Sequence, residues 1–455
     1  MDPDKSSFTI LGAGRSGIAA AALLKKKGFK VFLSEEYPEE KLKYFRKDIL
    51  TDEKIEFETD GHSEKIFEND VFIVSPGISP ESEVIKKAAA LGKKIYSEIE
   101  IAFRFCKCPV IAITGTNGKT TTAVLTGEVF KNAGYDTKVC GNVGVAFSEI
   151  VNELSKDSIA VLEVSSFQLE YTEKFRPAVS VILNITPDHL DWHKNFNNYL
   201  NAKGRIRENQ KQSDLSVINF DDKTLMDDLK NTDAVKAFFS VKEDLRDSEI
   251  NKGCIGINGE VIYFDKNKNV NEVIMKTSEI NIRGNHNLYN SLAAVISARA
   301  FDIKKEIIRD TLISFKGVEH RIEFVRELNG AKYYNDSKAT NIDSMLVALE
   351  TFDKNVILIL GGREKGNDYS AADKLITEKV KLVIAIGETG KKITDHFSGK
   401  VKCESAQTME DAVRISFENA AAGDNVLLSP ACKSFDMFDS YEHRGAEFKK
   451  FVNKL

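Results

Sequence analysis

The chain has 455 residues, 42% of them hydrophobic, too many for one core and enough to fill about three of ordinary size. Its 64 basic and 69 acidic residues give a net charge of -5 without a long single-sign block, so neither a nucleic-acid nor a membrane partner is expected. No run of about eighteen apolar residues occurs and MDPDKSS carries no basic-apolar leader, which points to a cytoplasmic protein. The six cysteines are scattered with a single C-x-C pair, so neither a disulfide framework nor structural zinc is expected.

The first block reads as strand FTIL, glycine turn GAGRSG, an alanine-rich helix to Lys27, a stop at Gly28 and strand KVFL. That is a βαβ unit. A further strand, Val71 to Ile78, ends in Ser75-Pro76-Gly77, and the pattern runs to residue 97. The second block, 98–316, opens on PVIAITGTNGKT and continues through the apolar runs AVLEVSS, AVSVILNITPD and LSVINFDD. Its later part, NIRGNHNLYNSLAAVISARAF, reads as a glycine turn feeding a helix. The third block, 317–455, repeats the theme in NVILILGG, LVIAIG and NVLLSP. Such short β-branched runs suit strands covered on both faces, so an α/β fold of three domains is predicted. In open parallel sheets, ligands bind past the carboxyl ends of the strands, where the glycine-rich and polar motifs of all three blocks fall.

GTNGKT lacks the first glycine of the usual phosphate loop, because position 113 is isoleucine. The working parts are nonetheless present. Gly115, Thr116, Asn117 and Gly118 can converge backbone N–H groups on phosphate, Lys119 can reach terminal phosphates, and Thr120 can ligate magnesium. Gly12-Ala13-Gly14-Arg15-Ser16-Gly17 matches G-x-G-x-x-G with Glu35 and Glu36 after the next strand. A close strand-to-helix crossing and a nicotinamide site are alternatives there. Two phosphate cradles on separate domains suggest a ligase. Glu163, a carboxylate inside an apolar strand, suits a magnesium ligand unless it faces solvent at a sheet edge. In NITPDHLDWH, His189 is read as the functional histidine and His193 as a surface residue.

GTNGKTTT, GNVG, LEVSSFQLE, NITPDHLD, YLNAKGRI, GNHNLYN, GVEHRIE, NDSKATN and LSPACKSFDMF stand in the order seen in the Mur ligases of peptidoglycan synthesis, and the chain resembles that family from Phe8 to Val452. SSFQLE and SPACKSFD are similar to its D-glutamate-adding branch. The resemblance implies a Rossmann-like UDP-sugar domain (1–97), a central P-loop ATPase α/β domain (98–316) and a Rossmann-like domain for the incoming amino acid (317–455). It further implies a monomer using ATP, two Mg2+ ions, UDP-N-acetylmuramoyl-L-alanine and D-glutamate.

By motif matching, Lys119, Glu163, His189 and Lys203 would be catalytic. Thr120, Glu163, His189 and Lys203 would face metal, Lys203 as a carbamate formed with CO2. ATP would be held by 115–121, which includes Thr121, and by Asn290, Arg321 and Asp336. The UDP-sugar would meet Gly14, Arg15, Ser16, Ser34, Ser75, Pro76, Gly77 and Asn142. D-Glutamate would meet Lys338, Thr340, Lys365, Ser434 and Tyr441. Ser34 stands where some relatives carry aspartate, and Tyr441 where some carry phenylalanine. The implied chemistry is attack of the L-alanine carboxylate on the γ-phosphate of ATP, followed by attack of the D-glutamate amine on the acyl phosphate.

Overall fold

The computed structural model describes residues 6–42, 45–227, 232–282, 284–364 and 366–455. Three sheets with helices between the strands make an α/β fold. In the first sheet, β1 (Ser7–Leu11), β2 (Lys30–Ser34), β3 (Glu56–Glu58), β4 (Val71–Val74) and β5 (Lys94–Ser97) lie in the order β3-β2-β1-β4-β5, all parallel. This is the doubly wound order, and the chain reverses direction across the sheet between β1 and β4. All four residues of β4 are buried, as a strand covered on both faces requires. The helix Arg15–Lys26 lays Ile18, Ala21 and Leu24 inward and places Lys25 and Lys26 in its last turn, where the helix dipole favours cations.

The second sheet contains β6 (Val110–Thr114), β7 (Thr137–Gly141), β8 (Ile159–Glu163), β9 (Val179–Ile182), β10 (Leu215–Asn219), β11 (Val235–Ser240), β12 (Lys252–Ile257), β13 (Glu260–Asp265) and β14 (Val270–Lys276). Their order is β14-β13-β12-β11-β10-β9-β6-β8-β7, parallel except where β13 meets its two neighbours. β6 is therefore an interior strand, and the loop after it opens between β8 and β9. The third sheet, of β15 (Glu323–Leu328), β16 (Ala331–Asn335), β17 (Val356–Leu360), β18 (Val380–Ile386), β19 (Lys402–Ala406) and β20 (Asn425–Leu428), runs β15-β16-β20-β17-β18-β19. Only β15 pairs antiparallel.

The chain divides into two compact units, Met1–Asn281 with Asn287–Phe315, and Ile282–His286 with Lys316–Leu455. The first unit carries the first two sheets on a shared core that extends from Phe8 and Ile10 through Ile99 and Val110 to Ile182 and Ile218. Among the described residues no helix is long and apolar enough to cross a membrane.

Within this unit a buried carboxylate fastens the helix Glu98–Phe105 to the loop that enters β9. Glu100 Oε2 accepts the backbone N–H groups of Glu173, Lys174 and Phe175 at 3.0, 3.0 and 2.9 Å, and Oε1 accepts Arg104 Nε at 2.7 Å. Removing it strands three backbone donors and leaves the Arg104 guanidinium with Glu173 alone as its carboxylate partner. Glu100→Ala is expected to cost about 3–5 kcal/mol in urea unfolding; a loss below about 1 kcal/mol would show that the loop finds other acceptors.

Candidate functional site

β6 ends in Thr114, and the chain turns through 115–118 into the helix Lys119–Asn132. Gly118 has φ +87°, and a Cβ there would collide with Asn290 Oδ1, so the turn demands glycine twice over. Asn290 itself is buried on the helix Asn285–Arg299, with Nδ2 donating to Asn287 Oδ1 at 3.1 Å. The loop is braced by the segment after β9. Asn117 N–H donates to Asn184 Oδ1 at 2.8 Å, Asn184 Nδ2 donates to Asn117 O at 3.1 Å, and Thr116 Oγ1 lies 3.1 Å from Thr186 O and 3.0 Å from Tyr199 Oη. Thr120 and Thr121 are buried in the first helical turn.

Two lysines converge on one carbonyl. Lys119 Nζ donates to Gly115 O at 2.9 Å and to Thr116 O at 2.8 Å, while Lys203 Nζ, from the helix Phe196–Gly204, donates to Gly115 O at 2.8 Å. Lys203 is only 2% exposed. Burial first, then the charge of Lys119, hold its ammonium well below the ordinary lysine value, against the pull of Asp188 and Glu163. At this buried position the amine is biased toward its neutral form, which a sequence reading would have taken for a solvated helix lysine.

Glu163 closes the interior strand β8 and is 2% exposed, so it is no edge residue facing solvent. Oε1 accepts Asn142 Nδ2 at 2.8 Å, and the Asn142 N–H donates to Glu163 O at 2.8 Å. Its Oε2 is buried and has no hydrogen-bond partner among the described residues. A half-satisfied buried carboxylate beside cationic groups is a fitting ligand for a divalent cation. Thr120, Glu163 and Lys203 thus come from three elements that meet at the β6 terminus.

His189 holds a left-handed backbone at φ 54°, a strained conformation for a residue with a Cβ. Its N–H donates to Asp188 Oδ1 at 2.9 Å, and the exposed ring packs on Phe167 with centroids 4.8 Å apart. The expectation that His193 is a surface residue is overturned. His193 is buried, its Nε2 lies 2.9 Å from Ser166 Oγ, and its ring stacks on Phe167 at an interplanar angle of 6°. The one-turn helix Leu190–His193 rotates this ring inward while His189, its N-cap, stays outside. Burial, aided by His189, lowers its pKa to about 4.

At the first sheet a pocket of about 620 Å³ lies past β1, β2 and β4, lined by Gly14, Arg15, Ser16, Ser75, Pro76 and Gly77 at one end and by Tyr37 and His62 at the other. Gly12 has φ +95°, and a Cβ there would stand 2.6 Å from Ser75 Oγ, which explains the close approach of the two loops. Glu35 does not offer its carboxylate to a ribose. Oε2 accepts the Ala13 N–H at 2.6 Å and Oε1 the Tyr37 N–H at 3.1 Å. Ser34 is fully buried and does not line the pocket; its hydroxyl is engaged with Glu58 and His62.

In the second unit, Asp336 follows β16. Burial pushes its pKa up to about 6 despite Arg321, with Ser429 Oγ donating to Oδ2 at 2.8 Å. Lys338 Nζ lies 5.5 Å from the Tyr441 ring centroid; Ser434 is buried and Thr340 half-buried. Lys365 lies outside the described residues. Sequence reasoning missed Arg444, which is 1% exposed and donates to Ser337 Oγ and O at 2.9 and 2.7 Å and to Cys432 O at 3.0 Å. It ties the loop of Lys338 to the loop of Ser434. It also missed Asn184 and His62, although NITPD placed the asparagine at a strand end where such braces occur.

Comparison with known proteins matches residues 7–84 to the MurD N-terminal domain, 113–298 to the Mur ligase middle domain and 320–432 to the Mur ligase glutamate ligase domain. The chain is 42% identical to a UDP-N-acetylmuramoylalanine–D-glutamate ligase of Salinibacter ruber over 100% of both chains. It is 43% identical to the protein of the same name from Chloroherpeton thalassium, covering 98% of this chain and 97% of that one. In fold it is similar to the MurF ligase of Thermotoga maritima solved with ADP, with a TM-score of 0.59 and 17% identity over 93% of this chain and 95% of that one.

The lowered value for His193 gives a sign as well as a position. The unfolded chain takes up a proton on this ring near pH 6.5 and the folded chain near 4, so stability falls as pH drops through that window. NMR titration is expected to place His193 at about 4; a midpoint at the ordinary histidine value would mean that the ring is solvated.

Proposed function

The chain belongs to the Mur ligase family, an ATP-dependent ligase that adds D-glutamate in peptidoglycan synthesis, and from that premise we propose how its residues divide the work. The observation that carries the reading is the meeting of Lys119, Lys203 and the half-satisfied Glu163 at the end of β6.

The acyl donor is UDP-N-acetylmuramoyl-L-alanine, whose free carboxylate is unreactive toward an amine until its oxygen becomes a leaving group. Its attack on the γ-phosphate of ATP gives an acyl phosphate and ADP; the D-glutamate amine then attacks the acyl carbon, phosphate leaves and the amide remains. Gly115, Thr116, Asn117, Gly118, Thr120 and Thr121 are assigned to the phosphates: the Thr116 and Asn117 N–H groups brace the loop on Asn184, and the N–H groups of the first helical turn present the helix N-terminus to the anion. Lys119 exchanges its hold on the loop carbonyls for the terminal phosphates. Asn290, Arg321 and Asp336 are assigned to ATP, and Lys338, Thr340, Lys365, Ser434 and Tyr441 to D-glutamate, whose two carboxylates suit cationic partners.

The neutral Lys203 amine is a nucleophile for CO2. Nitrogen–carbon bond formation with loss of one proton to solvent turns that neutral amine into an anionic carbamate, to which Lys119 is attracted. The residues at the β6 terminus fit Mg2+: Thr120, Glu163, His189 and carbamylated Lys203 would hold it, and when bound it offsets the repulsion between two reacting anions. His189 serves to orient its neighbours, since its exposed ring lies against Phe167 with Nε2 3.6 Å from Asp188 Oδ2 rather than being aimed by a buried base.

Gly14, Arg15, Ser16, Ser75, Pro76, Gly77 and Asn142 are assigned to the UDP-sugar, with Ser34 acting from behind the pocket wall. Functional domains at 1–97, 98–316 and 317–455 are supported by the three sheets. Nucleotide-linked substrates support a cytoplasmic enzyme, and no step needs a second copy of the chain, so a monomer is proposed.

Phosphate release is expected only with UDP-N-acetylmuramoyl-L-alanine and D-glutamate together, with label from the alanine carboxylate oxygens appearing in the phosphate. Unlabelled phosphate would eliminate the acyl phosphate. Lys203→Ala is expected to lower kcat by about 10²–10³, with partial recovery in added short carboxylic acids; full activity of the variant would remove the carbamate.

A further inference from the structure

The far end of the first-sheet pocket contains a hydrogen-bond chain whose proton positions are determined by its terminal group. Glu58 Oε1 accepts Ser34 Oγ at 2.7 Å, and His62 Nδ1 lies 2.7 Å from the same Ser34 oxygen. Ser63 completes the carboxylate, its N–H donating to Oε1 at 3.0 Å and its hydroxyl to Oε2 at 2.6 Å. Burial raises the Glu58 pKa, but the hydrogen bonds from Ser63 and Ser34 outweigh it and hold the carboxyl below its ordinary value.

An ionised carboxylate only accepts, and serine has one proton to give. That proton goes to Glu58. The Ser34 oxygen is then left to accept, so His62 Nδ1 carries the hydrogen. In the neutral ring this leaves Nε2 as an acceptor, and among the described residues no hydrogen bond is formed by it. His62 lines the pocket together with Tyr37, which is 56% exposed and whose backbone is fixed by Glu35 on one side and by the Asp60 N–H on the other.

Resting on the UDP-sugar reading above, we propose that His62 Nε2 reads the N3–H of the uracil base beside Tyr37, so that this end of the pocket selects a pyrimidine that carries a hydrogen on N3. Uracil offers that donor between two carbonyls. Cytosine has a bare N3 lone pair at the same place, and an acceptor facing an acceptor leaves both unsatisfied. Tyr37 supplies the aromatic surface on which a base of either kind stacks, so it contributes affinity without discrimination. Ser34 fixes the His62 tautomer and acts through it.

Calorimetry on the full chain with UDP, CDP and N3-methyl-UDP tests the assignment. UDP is expected to bind at least about tenfold more tightly than the other two, because a site built for one donor rejects analogues that lack it. The N3-methyl probe requires no variant and therefore no assumption about folding. His62→Ala is expected to weaken UDP about tenfold and leave CDP within about twofold, closing the gap. Ser34→Ala is expected to narrow the gap through the freed tautomer, and His62→Gln to keep part of it through its amide oxygen. An unchanged UDP-to-CDP ratio in His62→Ala, or equal binding of UDP and N3-methyl-UDP, would overturn the proposal while D-glutamate-dependent phosphate release continued. Failure of the chain to bind either nucleotide, together with absence of that release, would overturn the UDP-sugar reading as well.

Discussion

Two lysine nitrogens share the carbonyl of Gly115, and the surrounding site is arranged about that constraint. Lysine side chains repel one another at such range, and one of these is buried. The strain is tolerated because the loop is braced elsewhere: Asn184 holds Asn117 on both its backbone groups, and Thr116 is bonded into the segment after β9. Glu163 adds the opposite problem, a buried anion with one oxygen unsatisfied. Two lysine nitrogens and an unsatisfied carboxylate at one strand end support the proposed phosphate and cation site and the proposed change in the charge of Lys203.

The first sheet uses the doubly wound order for a different end from dinucleotide binding. In a dinucleotide site the acid after the second strand meets a ribose hydroxyl. Here Glu35 is turned back onto the Ala13 and Tyr37 N–H groups and stiffens the glycine loop instead. The base end of the pocket is consequently left to Tyr37 and His62, whose Nδ1 is committed to Ser34. The nicotinamide alternative raised by G-x-G-x-x-G loses Glu35 as its acidic partner in this arrangement.

What could be read from the residues was whatever is local. The strand, glycine turn and Lys119-Thr120 pair are contiguous, so the phosphate loop was visible, as was Glu163 as a charge inside an apolar run. Burial of Lys203 was not visible, because it comes from packing against Gly115, 88 residues away. His193 was misplaced because i, i+4 spacing puts two histidines on one helix face only if the helix is longer than the single turn found here. Arg444 and His62 depend on partners 107 and 28 residues away, and neither lies in a motif.

The central claim is that the β6 terminus becomes a cation site only when Lys203 changes charge. Electron paramagnetic resonance of Mn2+ with the nucleotide-free chain addresses this directly, in buffer equilibrated with bicarbonate and in buffer stripped of CO2. The account predicts tight binding in the first, loosened binding in the second, and no bicarbonate effect in Lys203→Ala. Equal Mn2+ affinity under all three conditions would contradict it.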